Sequence, residues 1–318
     1  MSHFVSPTHH IQLNFWEPWA KAMEEDSNGA FDVEIYPAQA LGRSAEHFDM
    51  AVTGIAEVTQ AVPAYTKGRF PLSSVVELPF LHPNAVIAHE IMTELYPKYF
   101  KDEFKEVKVL WIGPTSVYHV FTTGDCVRTV DDFKGLKLRN PGGVMTDVLK
   151  MLEASPVTIA AGDLYTSVER GVVEGVVLSY ASIQDYGLDK LLKCGTELGL
   201  GSPSLVGAMN WDFYNGLPPD LQKVVDDISV RMGGGGENWL GHSYDDGDKK
   251  AFDWFQEIGM ELITFTPEER AKLTDAVSGV YQKWLDDMAE KGLPGREVLD
   301  AYLAELAERG VNVTLPIN

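Results

Sequence analysis

Arg139 closes the run Gly135-Leu136-Lys137-Leu138-Arg139, which is followed at once by Asn140-Pro141-Gly142-Gly143. Its guanidinium is the side chain here best suited to clamp a carboxylate, because a planar fork of N–H donors matches two carboxylate oxygens. Leu136 and Leu138 alternate with Lys137 and Arg139 at a strand's period of two, and the Asn-Pro-Gly-Gly stretch stops that strand just past the cation. In open α/β sheets the carboxyl ends of strands are where ligands bind. A helical pattern follows, carried by Val144, Val148, Met151 and Leu152, and its first turn is expected to add free backbone N–H groups near the guanidinium. Taken alone, the pattern fits equally well a surface arginine paired with a carboxylate, since 47 Asp plus Glu stand against 26 Lys plus Arg.

Other chemical signatures fail on inspection. The run Gly233 to Gly236 lacks the Lys-Ser or Lys-Thr of a phosphate loop and follows no strand pattern. His89-Glu90 begins like a zinc-protease motif, yet Thr93 stands where the second histidine belongs. No serine sits in a nucleophile elbow. Asp245-Asp246-Gly247-Asp248 resembles the start of a calcium loop, but Gln256 occupies the closing position, so a solvated acidic turn is expected there. No catalytic group, metal or cofactor is therefore assigned.

A chain of 318 residues with 45% hydrophobic content can bury two cores. The net charge of −21, with no basic run, argues against nucleic acid and anionic membranes as partners. An anionic ligand would need a local positive potential inside a cleft. No stretch approaches the roughly 20 apolar residues of a membrane span, and an exported protein freed of its leader would look the same. Cys126 and Cys194 match no zinc or redox spacing and would pair only in an oxidising compartment.

Strand-like runs are expected at 10–15, 31–36, 55–62, 107–112, 118–122, 157–160 and 172–178, with helical patterns between several of them. Such alternation favours an α/β fold with mostly parallel sheets. Leu217-Pro218-Pro219-Asp220 opens a helix whose apolar face is Leu221, Val224, Val225 and Ile228. Beyond about residue 235 the patterns are helical, with a capping box at Thr266-Pro267-Glu268-Glu269 and a break at the glycine run.

Several segments together resemble the solute-binding proteins of tripartite ATP-independent periplasmic (TRAP) transporters, the DctP-type family. The central signature, of the type Asp-Leu-Lys-Gly-Leu-Lys-Ile-Arg-x-Pro, is matched by Asp132-Phe133-Lys134-Gly135-Leu136-Lys137-Leu138-Arg139-Asn140-Pro141. The segment Tyr165 to Gly175 matches a second, with Glu174 in place of the usual aspartate, and Ala40-Leu41-Gly42, Phe70-Pro71-Leu72, Leu78-Pro79-Phe80 and Asn210 before Leu217-Pro218-Pro219-Asp220 add to it.

The resemblance implies a two-lobed periplasmic-binding-protein-like fold, with lobe I at 1–120 plus 205–245, lobe II at 121–204 plus 246–318, and a long interlobe helix near residue 240. It implies a monomeric periplasmic receptor that closes around a small organic acid and passes it to the membrane permease subunits, without catalysis. Arg139 then holds the ligand carboxylate. A second arginine found in some members is replaced by His119, whose titration would make affinity pH-sensitive. Leu178, beside Ser179 and Tyr180, stands where members selective for sialic acid carry asparagine, which argues against a hydroxylated sugar acid. Phe15, Trp16, Tyr65, Tyr118, Tyr180 and Trp211 fall in segments that border the family's cleft and suggest an apolar or ring-bearing ligand body, with Asn210 as a polar contact. Each aromatic residue fits a core position as readily. Two other readings stay open: a sensory receptor using the same lobe surfaces, and a two-domain enzyme with Arg139 orienting substrate and His119 as base.

Overall fold

The computed structural model describes residues 1–313 and 315. Among the described residues, nine strands form two sheets: β1 (Val58–Ala61), β2 (Lys108–Pro114), β3 (His119–Thr122), β4 (Lys137–Asn140), β5 (Ser155–Thr158), β6 (Gly175–Leu178), β7 (Cys194–Glu197), β8 (Ser204–Met209) and β9 (Glu261–Thr264). The α-helices are α1 (Glu17–Asp26), α2 (His47–Thr53), α3 (Ala85–Leu95), α4 (Val144–Met151), α5 (Leu164–Glu169), α6 (Tyr180–Asp185), α7 (Trp211–Gly216), α8 (Pro219–Met232), α9 (Trp239–Glu257), α10 (Pro267–Val277), α11 (Gly279–Glu290) and α12 (Gly295–Glu308). Among the described residues, no helix is long and apolar enough to cross a membrane.

The first sheet has the order β1-β8-β2 and the second β5-β4-β6-β3-β7-β9. Parallel pairing joins β4 to β5, β4 to β6 and β7 to β9 in the second sheet. In the first, β8 returns between β1 and β2 and pairs antiparallel with both. In the second sheet β3 pairs antiparallel with both β6 and β7, so that sheet is mixed, and the expectation of mostly parallel sheets holds for only part of it and not for the first. Among the described residues the chain crosses between sheets three times, from β2 to β3, from β7 to β8 and from β8 to β9.

Residues 10–15 are helical, not a strand. Ile11, Leu13 and Phe15 alternate, but Leu13 is 47% exposed, while Ile11, Phe15, Trp16, Trp19 and Met23 are buried at helical spacings. The larger aromatic set decides, and a π-helical turn, Gln12–Trp16, runs into α1. At 31–36 only Tyr36 makes a bridge, to Ser2.

The acidic run Asp245 to Asp248 is not a solvated turn but part of α9, and two of its carboxylates cap helices. Asp245 accepts from Ala85 N (2.8 Å) and Val86 N (3.0 Å) at the start of α3, and Asp248 accepts from Ala181 N (2.9 Å) in α6. The long helix thus fastens elements flanking both sheets. The glycine run ends α8 and precedes α9, where a Cβ at Gly234 would strike the backbone of His89. Close packing beside the first sheet requires glycine there. Thr266 caps α10 through Glu269 N (3.2 Å), but the Glu269 carboxylate accepts from Val130 N, so the box is half made. Cys126 and Cys194 form a disulfide. α12 packs on α3, where Arg309 pairs with Glu90 (3.1 Å) and Glu94 (2.7 Å).

Candidate functional site

Arg139 lies at the carboxyl end of β4, opposite Val157 of β5 and Val176 of β6, and is 1% exposed. Its Nε donates to the carbonyl of Ile159 (2.9 Å) and its Nη1 to that of Val177 (3.4 Å). Two backbone carbonyls thus set the plane of the guanidinium, and the Tyr65 and Tyr118 hydroxyls lie beside it. No carboxylate among the described residues forms an ion pair with it. A buried charge without a counter-charge costs several kcal/mol, which an anion placed against it would offset.

Of the free N–H groups expected at the start of α4, that of Val144 is taken by Glu77 Oε2 (3.1 Å), and just before the helix Gly142 N donates to Asn140 Oδ1 (2.8 Å). Gly143 has φ of 59° and could not be replaced without its Cβ striking Glu77, so the turn is shaped around that carboxylate. Glu77 precedes β2 and reaches across to α4; burial pushes its carboxyl up to about 7.

Arg139 faces a narrow, largely enclosed cavity of about 30 Å³. Tyr65, Tyr118, Tyr186 and Tyr244 line it, with Phe4, Val5, Val62, Leu164 and Leu178 between them. Both sheets contribute, and Tyr65 Oη accepts from Ala161 N (2.9 Å). Burial pushes the Tyr118 phenol up to about 12, with Arg139 opposing the shift.

Of the ten residues singled out from sequence, the cavity brings together Arg139, Tyr65, Tyr118 and Leu178. His119 and Tyr180 line a separate, solvent-open cleft of about 1090 Å³. The enclosed cavity is the better site despite its smaller size, because it alone holds the unpaired buried cation. His119 Nδ1 accepts from Leu198 N (3.1 Å) and Gly199 N (3.2 Å), and burial with nearby Arg270 lowers its pKa to about 3. It therefore stays neutral at physiological pH, and the expected pH switch at this residue is not formed, nor is a base beside Arg139.

Phe15 and Trp16 are fully buried in an aromatic cluster with Trp19 and Trp111. Asn210 caps α7 through Phe213 N (2.9 Å) and donates to Ala51 O (2.8 Å), while Trp211 Nε1 donates to Lys105 O (2.9 Å). These four hold structure and are absent from the cavity wall.

Gln60 was not singled out from sequence, although a glutamine inside the buried strand Val58–Ala61 is a readable signal. Trp16 Nε1 donates to Gln60 Oε1 (2.6 Å). An indole N–H can only donate, so it fixes which end of the amide is oxygen and leaves the NH2 as the donor available to the cavity that Gln60 lines. His9 and Ser182 also line the cavity without having been anticipated.

Burial holds five histidines neutral: the pKa values of His3, His82 and His89 fall to about 4, and those of His9 and His119 to about 3. Their stabilising contribution is complete above the unfolded value of about 6.5 and is lost as pH falls from there toward 4 to 3, where only the unfolded chain takes up protons. Glu77 and Asp248, raised to about 7, act oppositely: their contribution is complete at low pH and lost as pH rises through 7. Five groups outweigh two, each changing stability by up to about 1.4 kcal/mol per pH unit. Calorimetric melting is expected to show Tm falling from pH 7 to pH 5; an unchanged Tm would contradict the neutral burial of these rings.

The family model described as bacterial extracellular solute-binding protein, family 7, matches residues 1–287. A TRAP solute-binding protein from Rhodoferax ferrireducens, crystallised with copurified benzoate, superposes with a TM-score of 0.92 at 28% identity, covering 97% of each chain. A TRAP periplasmic solute-binding protein from Bordetella bronchiseptica, with bound (R)- and (S)-mandelate, gives 0.87 at 30% identity, covering 97% of this chain and 98% of that one. The C4-dicarboxylate-binding periplasmic protein DctP of Rhodobacter capsulatus is 25% identical over 293 residues, 90% of this chain and 84% of its own length.

Proposed function

The chain belongs to the bacterial extracellular solute-binding proteins of family 7, the receptors of TRAP transporters, and we propose that its ligand is an aromatic monocarboxylate. The observation that carries this reading is the buried, unpaired Arg139 facing a thin slot walled by four tyrosines. The guanidinium calls for an anion, and the tyrosine faces offer stacking to a flat ring. A hydroxyl-rich sugar acid would find too few polar partners there. The benzoate and mandelate of the two structural relatives are ligands of this kind.

Lobe I is read as centred on the first sheet and lobe II on the second, with boundaries near 120 and 204. Closure brings Glu77 onto Val144 N and Tyr65 onto Ala161 N, and a ligand touching both walls shifts the population toward that closed form. The protein then acts in the periplasm as a monomer, hands its ligand to the permease and catalyses no reaction on it.

Thermal melting against a panel of acids tests the reading. A ligand at 100 times its Kd adds about 2.7 kcal/mol of stability, which for a chain of this length raises Tm by about 4 °C. Benzoate, 3-hydroxybenzoate or mandelate is expected to do so, and succinate and galacturonate are not; the reverse order would overturn the ring-bearing ligand. Gln60→Ala removes the second donor and is expected to weaken the bound aromatic acid about tenfold by calorimetry, the worth of one hydrogen bond to a charged group. Unchanged affinity would place Gln60 outside recognition.

A further inference from the structure

We propose that His9, His10 and Asp185 form a binding site for one divalent transition-metal ion, completed when the two sides of the cleft come together. The histidines precede α1, beside the first sheet; Asp185 ends α6, which follows β6 of the second. Their side chains are 3%, 10% and 13% exposed, and one donor atom from each lies within 4.8 Å of the others.

The spacing suits a metal. A tetrahedral ion held at 2.0 to 2.1 Å separates its donor atoms by about 3.3 Å. His9 Nδ1 and Asp185 Oδ2 stand 3.5 Å apart, and His10 Nδ1, which hydrogen-bonds the same oxygen, need only swing outward to admit the ion. The other carboxylate oxygen is held by His10 N at 3.3 Å. Two imidazoles and a carboxylate favour zinc or cobalt over calcium or magnesium. Burial keeps His9 neutral, the state in which a ring nitrogen can ligate.

The surroundings are shaped around these rings. A Cβ at Gly247 would lie 2.9 Å from the His10 ring, so glycine in the middle of α9 makes the notch that seats it, at a helix cost of about 1 kcal/mol. Tyr244 packs edge-on to His10 at 5.6 Å and Tyr186 to His9 at 5.5 Å. His9 also lines the ligand cavity, which gives the fourth coordination position a route to water or to a ligand oxygen.

Because the donors come from both sides of the cleft, metal binding and closure are linked. Metal and carboxylate must then raise each other's affinity by the same factor.

Untagged full-length protein, stripped with a chelator, is titrated with Zn2+ by calorimetry and with Co2+ by visible absorption. One ion per chain is expected, with the Co2+ absorption bands of a four-coordinate nitrogen and oxygen site. His10→Gln and Asp185→Asn are each expected to weaken Zn2+ by at least about tenfold, while Arg139→Ala retains it, so loss of carboxylate binding and loss of metal binding are separable. Failure of the unmodified protein to bind one equivalent overturns the proposal whatever the variants do. Undiminished Zn2+ affinity in both His10→Gln and Asp185→Asn also overturns it, by placing the ion elsewhere.

Discussion

Arg139→Ala is expected to lower affinity for an aromatic carboxylate by about 100-fold or more while leaving the chain folded. Truncating one partner of a buried, hydrogen-bonded charge pair costs about 2 to 5 kcal/mol, because the remaining charge is left in the cavity without a counter-ion. The ligand-free protein behaves differently: the substitution removes a cation that has no carboxylate partner among the described residues, so its Tm should stay level or rise. Arg139→Lys should recover only part of the affinity, since an ammonium cannot present the fork held by the carbonyls of Ile159 and Val177. Calorimetry on both variants, with melting curves in the absence of ligand, separates these effects. Full affinity in Arg139→Ala would remove the clamp.

The largest expected effect on stability comes from the disulfide. Cys126 and Cys194 are 68 residues apart in sequence with Cα atoms 5.7 Å apart, and closing a loop of that length restricts the unfolded chain by about 4 kcal/mol. The double variant Cys126→Ala/Cys194→Ala should lower Tm by about 6 °C in scanning calorimetry. Ligand affinity should not follow, because the bond ties the Thr122 end of β3 to β7 whereas Tyr118 precedes the other end of that strand. A Tm within about 1 °C of the parent, roughly the shift from 0.5 kcal/mol, would mean that the bond adds little. A disulfide of this kind also fits an oxidising periplasm.

The features legible in the sequence were local ones. The strand ending at Arg139 could be read because alternation and the Pro-Gly stop lie within nine residues of one another, and α8 could be read from Pro219 and its spaced apolar residues. Residues 10–15 misled because Ile11, Leu13 and Phe15 satisfy a strand's period while Ile11 and Phe15 also satisfy a helix's, and only the burial of Trp16 and Trp19 separates the two. The acidic run at Asp245 reads as solvated until the helix starts it caps, 160 and 67 residues away, are brought against it.

The candidate site divided along the same line. Arg139 announced itself through its own strand, whereas Gln60 depends on Trp16, 44 residues earlier, to turn its amide, and no local pattern encodes that. His119 lies on β3, separated from the strand of Arg139 by β6, and the backbone N–H groups of Leu198 and Gly199 hold its ring at the open cleft. Sequence distance gives the strand and not the direction a side chain takes between two cavities.

The central claim is that Arg139 reads the negative charge of a ring-bearing acid. Calorimetric titration of ligand-free protein with benzoate, 3-hydroxybenzoate and mandelate, each beside its uncharged amide, tests it most directly. At least one acid should bind in the micromolar range, worth about 8 kcal/mol, with its amide weaker by about 100-fold or more, the worth of the charge-assisted pair. Amides that bind as tightly as the acids, or three aromatic acids that all fail where a sugar acid binds, would contradict it.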